Sequence, residues 1–354
     1  MKVIIAAGGT GGHIFPGIAV AEAFLRSDAT NDLLFVGTPS GMEKRIVPAN
    51  GFRLTEIEAR PFLGTSIMRK VGAIAGLLRG VFTSMRIIRR EKPRVIIGMG
   101  GFTCVPVIIA GWLLQVPCFL HEQNVYPGMA NRWLSRIVQA TFISFDASRS
   151  YFDGTTVIHT GNPVRRQVKD RLTRPDSRFA IFVFGGSRGA RSINEAVMEM
   201  LPRLGTDGET VIYHQTGTED YERVRAEYAR YDVPGEVFPF TDRMQQYYSS
   251  TDVVVSRAGA STIFELAYFR KAAVLVPYPY AAGGHQWKNA RYVERLGGAY
   301  LIANEDLNGE RLHTVIEGLK TNPQLRDEMG AATGSIYRDD AEDRIVQEIT
   351  TRVS

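Results

Sequence analysis

The sequence is poor in cysteine: its 354 residues include two, Cys104 and Cys118. They form neither a metal-type spacing nor a disulfide framework, so they read as reduced, buried thiols of a cytosolic protein. Long hydrophobic runs are missing too. The first, Val3 to Ala7, is shorter than the roughly 7 to 15 residues of a secretory h-region. The most apolar stretch, Val105 to Leu120, is interrupted by Pro106, Gly111, Gln115 and Pro117. It falls short of the ~20 apolar residues of a spanning helix, so an integral membrane protein is not expected. There is no G-K-[ST], and neither glycine cluster completes G-x-G-x-x-G, because Ile14 stands five positions after Gly9. Both the P-loop and the nicotinamide-dinucleotide readings lose support. Charge is nearly balanced, with 42 Lys+Arg against 37 Asp+Glu for a net +5. That is too little to argue for nucleic acid unless it is concentrated in one place.

What remains is an ordinary globular composition, 44% hydrophobic and 22% charged, in a chain long enough for two domains. Short apolar runs alternate with longer segments of helical period. The runs are Val3 to Ala7, Leu33 to Gly37, Val95 to Met99, Cys118 to Leu120, Thr141 to Ser144, Phe179 to Phe184, Val211 to His214, Val253 to Ser256 and Ala273 to Pro277. Such alternation predicts βαβ units and parallel sheets covered on both faces, an α/β fold. Two runs lead straight into glycine clusters, Gly8 to Gly12 and Gly185 to Gly189. Two doubly wound domains of similar size follow, with a boundary near Gly161-Asn162-Pro163. The expected divisions are 1–161, 162–337 and a helical tail, 338–354.

Glycines after a strand allow a tight turn, and the next helix offers unpaired N–H groups to an anion, so phosphate or pyrophosphate is the default ligand. A turn with no bound anion is the alternative. His13 follows the first cluster. Beside a helix N-terminus its imidazolium is disfavoured, which leaves either a neutral proton acceptor or a packed core histidine. The segment Ser256 to Thr262 follows another strand and precedes Glu265, an acid placed for ribose hydroxyls or for its own helix dipole. His121-Glu122-Gln123-Asn124 puts four polar residues at a further strand end, where Asn and Gln suit hydroxyl and amide recognition, as in a sugar.

Seven stretches together carry a resemblance: Gly8 to Gly17 (GGTGGHIFPG), Gly98 to Gly101 with Phe102, His121 to Asn124 (HEQN), Gly161 to Arg165 (GNPVR), Gly185 to Arg191 (GGSRGAR), His214 to Gly217 (HQTG) and Arg257 to Glu265 (RAGASTIFE). In order and spacing the chain resembles the bacterial peptidoglycan N-acetylglucosaminyltransferases that convert lipid I to lipid II. The resemblance implies a B-type glycosyltransferase fold, with two Rossmann-like domains facing across a cleft and a C-terminal helix crossing back to the first. It implies UDP-GlcNAc as donor, the 4-hydroxyl of MurNAc in the undecaprenyl-linked acceptor, and inversion.

By the same resemblance the second domain binds the nucleotide sugar. Arg165 and the Thr241 backbone lie near the uracil, Glu265 on the ribose and Ser187 at the pyrophosphate. Ala260, Ser261, Thr262, Ile263 and Phe264, with Gln286, contact the diphosphate and sugar. Asn124 and Thr10-Gly11-Gly12 approach the sugar from the first domain, whose glycine turn also receives the acceptor pyrophosphate. His13 is the candidate base, and Glu122 a second candidate or an orienting group. No metal or other cofactor is expected: helix N-termini can stabilise the leaving diphosphate, and the chain has no Asp-x-Asp.

Two departures stand out. Members often carry Tyr after the glycine pair, where this chain has Phe102-Thr103-Cys104, and His285-Gln286 stands where two glutamines are common. Competing readings are a related transferase acting on diacylglycerol and a sugar-nucleotide-binding subunit that needs a catalytic partner.

The charge is in fact concentrated. Between Arg60 and Arg94 nine basic residues face only Glu91, a local net of +8 that leaves the rest of the chain at −3. Within this window Val71, Ile74, Leu78, Val81, Phe82 and Met85 keep helical spacing, flanked by Arg79, Arg86 and Arg90. The pattern is that of an amphipathic surface helix, or of one that docks on anionic lipid. With a polyprenyl-anchored acceptor, residues 60–94 are expected to hold the protein peripherally at the cytoplasmic face of the membrane.

Overall fold

The computed structural model describes residues 1–59, 67–164, 177–186, 188–204 and 208–353, with the backbone alone for 67–73. The chain divides into two compact units, Met1–Arg165 with Arg338–Ser354, and Arg166–Tyr337.

Among the described residues the first unit has one sheet of seven strands: β1 (Lys2–Ala6), β2 (Asp32–Gly37), β3 (Arg53–Glu56), β4 (Val95–Gly98), β5 (Cys118–Glu122), β6 (Ala140–Ile143) and β7 (Val157–His159). Their order is β3-β2-β1-β4-β5-β6-β7, with every neighbouring pair parallel. Because side chains alternate across a strand, Val3 and Ile5 enter one apolar cluster while Ile4 and Ala6 enter another on the opposite face. A strand buried on both faces reads as a continuous apolar run, which is why β1 was legible. The helix Ala341–Val353 completes the first cluster with Ile345, Val346 and Ile349.

The second unit repeats the plan with six strands: β8 (Phe179–Phe184), β9 (Thr210–Gln215), β10 (Gly235–Phe238), β11 (Val253–Ser256), β12 (Ala272–Leu275) and β13 (Ala299–Leu301). Their order is β10-β9-β8-β11-β12-β13, all parallel. Ile181 and Val183 face one cluster, while Phe182 stacks on Tyr247. In each unit the winding reverses once, between β1 and β4 and between β8 and β11. Open parallel sheets bind ligands in the crevice at the carboxyl ends of strands beside such a reversal. Among the described residues no helix is long and apolar enough to cross a membrane.

The helix Ile67–Glu91 divides the apolar face expected for it. Val81 and Met85 pack on the core, whereas Ile74, Leu78 and Phe82 are exposed. Arg60 and the side chains of Arg69, Lys70 and Val71 lie outside the described residues.

Candidate functional site

In the first unit the residues of interest gather where β1, β4 and β5 end. Gly9 adopts φ +93° and opens the way to the helix Gly11–Ser27, to which Thr10 supplies no side-chain cap. Thr10 is exposed, and Gly11, Gly12 and His13 are half-buried. The imidazole of His13 lies against the glycine pair after β4. A Cβ on Gly100 would stand 2.9 Å from His13 Nδ1, and Gly100 and Gly101 have φ of +97° and +78°. Only glycine meets both demands. His13 Nδ1 is 3.0 Å from Gln123 Oε1. Phe102 lies beside Gly9.

The polar segment His121 to Asn124, at the end of β5, turns mostly inward, contrary to the reading of four side chains displayed to a ligand. His121, Glu122 and Gln123 are buried, and Asn124 is half-buried. Gln123 Nε2 donates to Met99 O at 2.7 Å and lies 3.0 Å from His121 Nδ1. Burial lowers the His121 pKa to about 4, so the ring is neutral. Glu122 accepts four N–H bonds: Asn124 N at 2.9 Å and Nδ2 at 3.1 Å on Oε1, then Gly128 N at 3.1 Å and Asn131 Nδ2 at 2.8 Å on Oε2. Those bonds fix the turn that carries Asn124.

Sequence reasoning missed Glu43. It is fully buried, accepts Thr38 N at 2.7 Å and Thr38 Oγ1 at 2.8 Å on Oε1, and takes Gly9 N at 3.2 Å on Oε2. A Cβ on Gly37 would meet its Cγ at 2.3 Å, and one on Gly41 would meet Oε2 at 2.0 Å. These glycines make room for the carboxylate, and they are the signal in the sequence that could have exposed it.

In the second unit the residues gather where β8, β9 and β11 end. The glycine turn after β8 and the turn after β9 meet backbone to backbone, since a Cβ on Gly189 would fall 1.9 Å from Thr216 O and one on Gly217 2.2 Å from Arg188 O. Buried Gln215 ties three segments together, donating to Gly186 O at 3.0 Å and accepting Thr241 N at 3.1 Å. The helix Ala260–Phe269 begins without a side-chain cap. Ser261 and Thr262 are half-buried, and Ser261 Oγ is a buried hydroxyl without a protein partner. Ile263 and Phe264 have no exposed surface, and Ile263 N already donates to Gly259 O at 3.0 Å, so the contact with the diphosphate or sugar expected of these two residues is not open to them. Glu265 is mostly buried and accepts Tyr248 OH at 3.0 Å.

Gln286 Oε1 accepts Ala258 N at 3.2 Å and Tyr278 N at 2.9 Å, so its amide nitrogen is the donating end. Beside it His285 Nδ1 donates to Ala282 O at 2.8 Å. Arg257 is held by Val276 O, Pro277 O, Asn304 Oδ1 and Ser192 Oγ at 2.8–3.2 Å, and burial lowers its pKa. Arg165 and Ser187 lie outside the described residues.

Two uncapped helix starts beside glycine turns, each at a sheet reversal, suit anionic ligands. The N-terminal domain profile of glycosyltransferase family 28 matches residues 3–143, and the C-terminal domain profile of the same family matches residues 180–345. The chain belongs to glycosyltransferase family 28. It is a glycosyltransferase with two parallel-sheet α/β domains of the B type.

Among similar proteins, one from Geotalea uraniireducens (strain Rf4) is 41% identical over 99% of this chain and 98% of its own length. It is named UDP-N-acetylglucosamine--N-acetylmuramyl-(pentapeptide) pyrophosphoryl-undecaprenol N-acetylglucosamine transferase. A namesake from Pelobacter propionicus is 42% identical over 99% of both chains. A crystal structure of Acinetobacter baumannii MurG superposes with a TM-score of 0.81 at 29% identity, covering 99% of each chain. A UDP-GlcNAc 2-epimerase from Neisseria meningitidis bound to UDP-GlcNAc shares the fold, at a TM-score of 0.69 and 12% identity, over 99% of this chain and 100% of its own.

Proposed function

We propose that this chain transfers N-acetylglucosamine from UDP-N-acetylglucosamine to the MurNAc 4-hydroxyl of undecaprenyl-pyrophosphoryl-MurNAc-pentapeptide, with inversion, giving lipid II for peptidoglycan synthesis. The observation that carries this reading is the 41–42% identity, over 99% of the chain, to transferases named for that reaction.

The second unit takes the donor. Thr241, positioned by Gln215, meets the uracil and Glu265 meets the ribose; Arg165, the other uracil contact expected from the sequence, belongs to the segment Met1–Arg165 of the first unit. The diphosphate lies at the start of the helix Ala260–Phe269, where Ser261 Oγ gains a partner and Gln286 donates its amide, and Ser187 is a further contact to it. The first unit takes the acceptor pyrophosphate at Thr10-Gly11-Gly12, with Asn124 toward the sugar. His13 removes the proton of the 4-hydroxyl as the oxygen bonds to C1. The C1–O bond to UDP breaks and its electron pair leaves with the diphosphate, which faces the positive end of a helix. Glu122, with four donors already on it, orients the Asn124 turn.

Exposed Ile74, Leu78 and Phe82 make a lipid-facing stripe on the helix Ile67–Glu91. Arg79 stands beside the stripe, and the Arg86 guanidinium lies 4.3 Å from the Phe82 ring. Trp112 and Leu113 are exposed on the neighbouring helix, Cys104–Leu113. A basic-flanked apolar surface of this kind docks on anionic lipid at the cytoplasmic face, each basic group contributing about 1 kcal/mol.

Incubation of the purified chain with UDP-GlcNAc and lipid I tests the reaction, with equimolar UDP and lipid II expected. Absence of product from lipid I, or product from diacylglycerol instead, rejects it. Failure to turn over without an added protein would make the chain a binding subunit. Docking is tested by sedimentation with phosphatidylglycerol vesicles at low salt, and binding unchanged after neutralising Arg79, Arg86 and Arg90 refutes it.

A further inference from the structure

Three hydrogen-bonding groups, the Gln123 amide, the His121 ring and the Gly161 carbonyl, run in series behind His13, and their chemistry leaves one arrangement of protons. The side-chain nitrogen of Gln123 is 2.7 Å from Met99 O and 3.3 Å from His121 O. Carbonyl oxygens only accept, so the NH2 of the amide must point there, and the orientation of the Gln123 amide follows from its neighbours. Its oxygen therefore faces His13 Nδ1 at 3.0 Å. An amide oxygen has no proton to give, so the imidazole must donate: the proton of neutral His13 sits on Nδ1 and the lone pair on Nε2.

The far end agrees. His121 Nδ1, 3.0 Å from the same NH2, accepts, and His121 Nε2–H donates to Gly161 O at 3.3 Å. Gln123 is buried, and the His13 ring lies against Gly100 and Gly101.

The geometry points to Gln123 as a positioning residue that sets the tautomer of His13 and makes Nε2 the basic nitrogen. This rests on the reading of His13 as the base. In the transfer the 4-hydroxyl proton moves to Nε2 and the imidazolium keeps its Nδ1–H on Gln123 Oε1, an acceptor that strengthens as the ring becomes charged. The proton then passes to solvent. An amide in this place orients the ring without adding a negative charge beside the incoming pyrophosphate, which a carboxylate would.

The full chain labelled with 15N-histidine decides the matter by long-range 1H–15N correlation of the imidazoles, His13 being assigned by its loss in His13→Gln. We expect a protonated Nδ1 and an unprotonated Nε2 in the neutral ring. The opposite tautomer in the native protein overturns the inference with no variant needed. Kinetically, Gln123→Met should lower kcat about 10²-fold, as expected when a base loses its orientation. The KM for donor and acceptor should stay within a few-fold. An unchanged kcat in folded Gln123→Met also overturns it. If His13→Gln retains full turnover, the catalytic reading of His13 fails by itself, while the spectrum still decides which nitrogen holds the proton.

Discussion

Glu43 accepts the Gly9 N–H at 3.2 Å without exposing any of its own surface, so a carboxylate inside the first unit holds the glycine turn by its backbone. In Glu43→Gln an NH2 must face either Gly9 N–H or Thr38 N–H, and neither can accept. A buried donor left unmet costs about 1–3 kcal/mol. The expected outcome is an acceptor KM raised about tenfold or more, with UDP affinity unchanged because the residue belongs to the other unit. Initial rates and a UDP titration on the folded variant check it, and equal acceptor KM in variant and wild type would contradict it.

Gly217 should tolerate no side chain. Its φ is +81° and its Cβ would stand 2.2 Å from Arg188 O, so Gly217→Ala combines strain of about 1–3 kcal/mol with a backbone collision. Moving the glycine turn after β8 should weaken UDP binding at least tenfold in calorimetry and leave the acceptor KM unchanged.

Tyr248 holds Glu265 through a single hydroxyl. Tyr248→Phe removes a charge-assisted bond of roughly 1.5–3 kcal/mol and should raise the UDP dissociation constant about tenfold. Uridine monophosphate, which retains the ribose, should lose affinity in proportion. A deoxyribose analogue should already bind weakly to the wild type and lose little more. Equal losses for ribose and deoxyribose ligands would argue against a ribose role for Glu265.

Acid should loosen both units through buried histidines. Burial lowers the pKa of His121 to about 4 and that of His214 to about 3, from 6.5. Their folded values lie below the unfolded one, so the unfolded chain binds more protons as pH falls below 6.5. Stability is complete above that value and declines towards pH 4. His214 bonds to Tyr228 OH and Asn194 Oδ1, both at 3.1 Å. Its ring resonances should therefore stay fixed in NMR titrations between pH 8 and 5, while the unfolding midpoint falls over the lower part of that range.

The nine apolar runs read from the sequence all correspond to strands, whereas β3, β7, β10 and β13 escaped notice. These four are the sheet edges. An edge strand is covered less completely, and Arg53–Glu56 and Gly235–Phe238 accordingly carry no continuous apolar run and span only four positions, mostly exposed or half-buried. Local patterning cannot separate so short a stretch from a loop. The glycine turns and the Ala260 helix start were legible because turn chemistry is local. Glu43 was not, since an acid in a first helical turn is ordinary until Gly37 and Gly41 are seen to enclose it. Gln123 looked like a group for recognising sugar because its type suits that task; only its neighbours Met99 and His13 reveal that it faces inward.

The helix Ala341–Val353 places Ile345 and Ile349 in the same cluster as Val3 and Phe35. During synthesis, then, the first unit is completed last: its opening strands and the helix Gly11–Ser27 leave the ribosome early, but Ile345, Val346 and Ile349, which close the same cluster, arrive only after the whole second unit has been made. That second unit, continuous in sequence, is free to complete its own core first. Completion of the two cores thus runs opposite to their order of translation, and part of the apolar surface of the early strands stays uncovered in that interval.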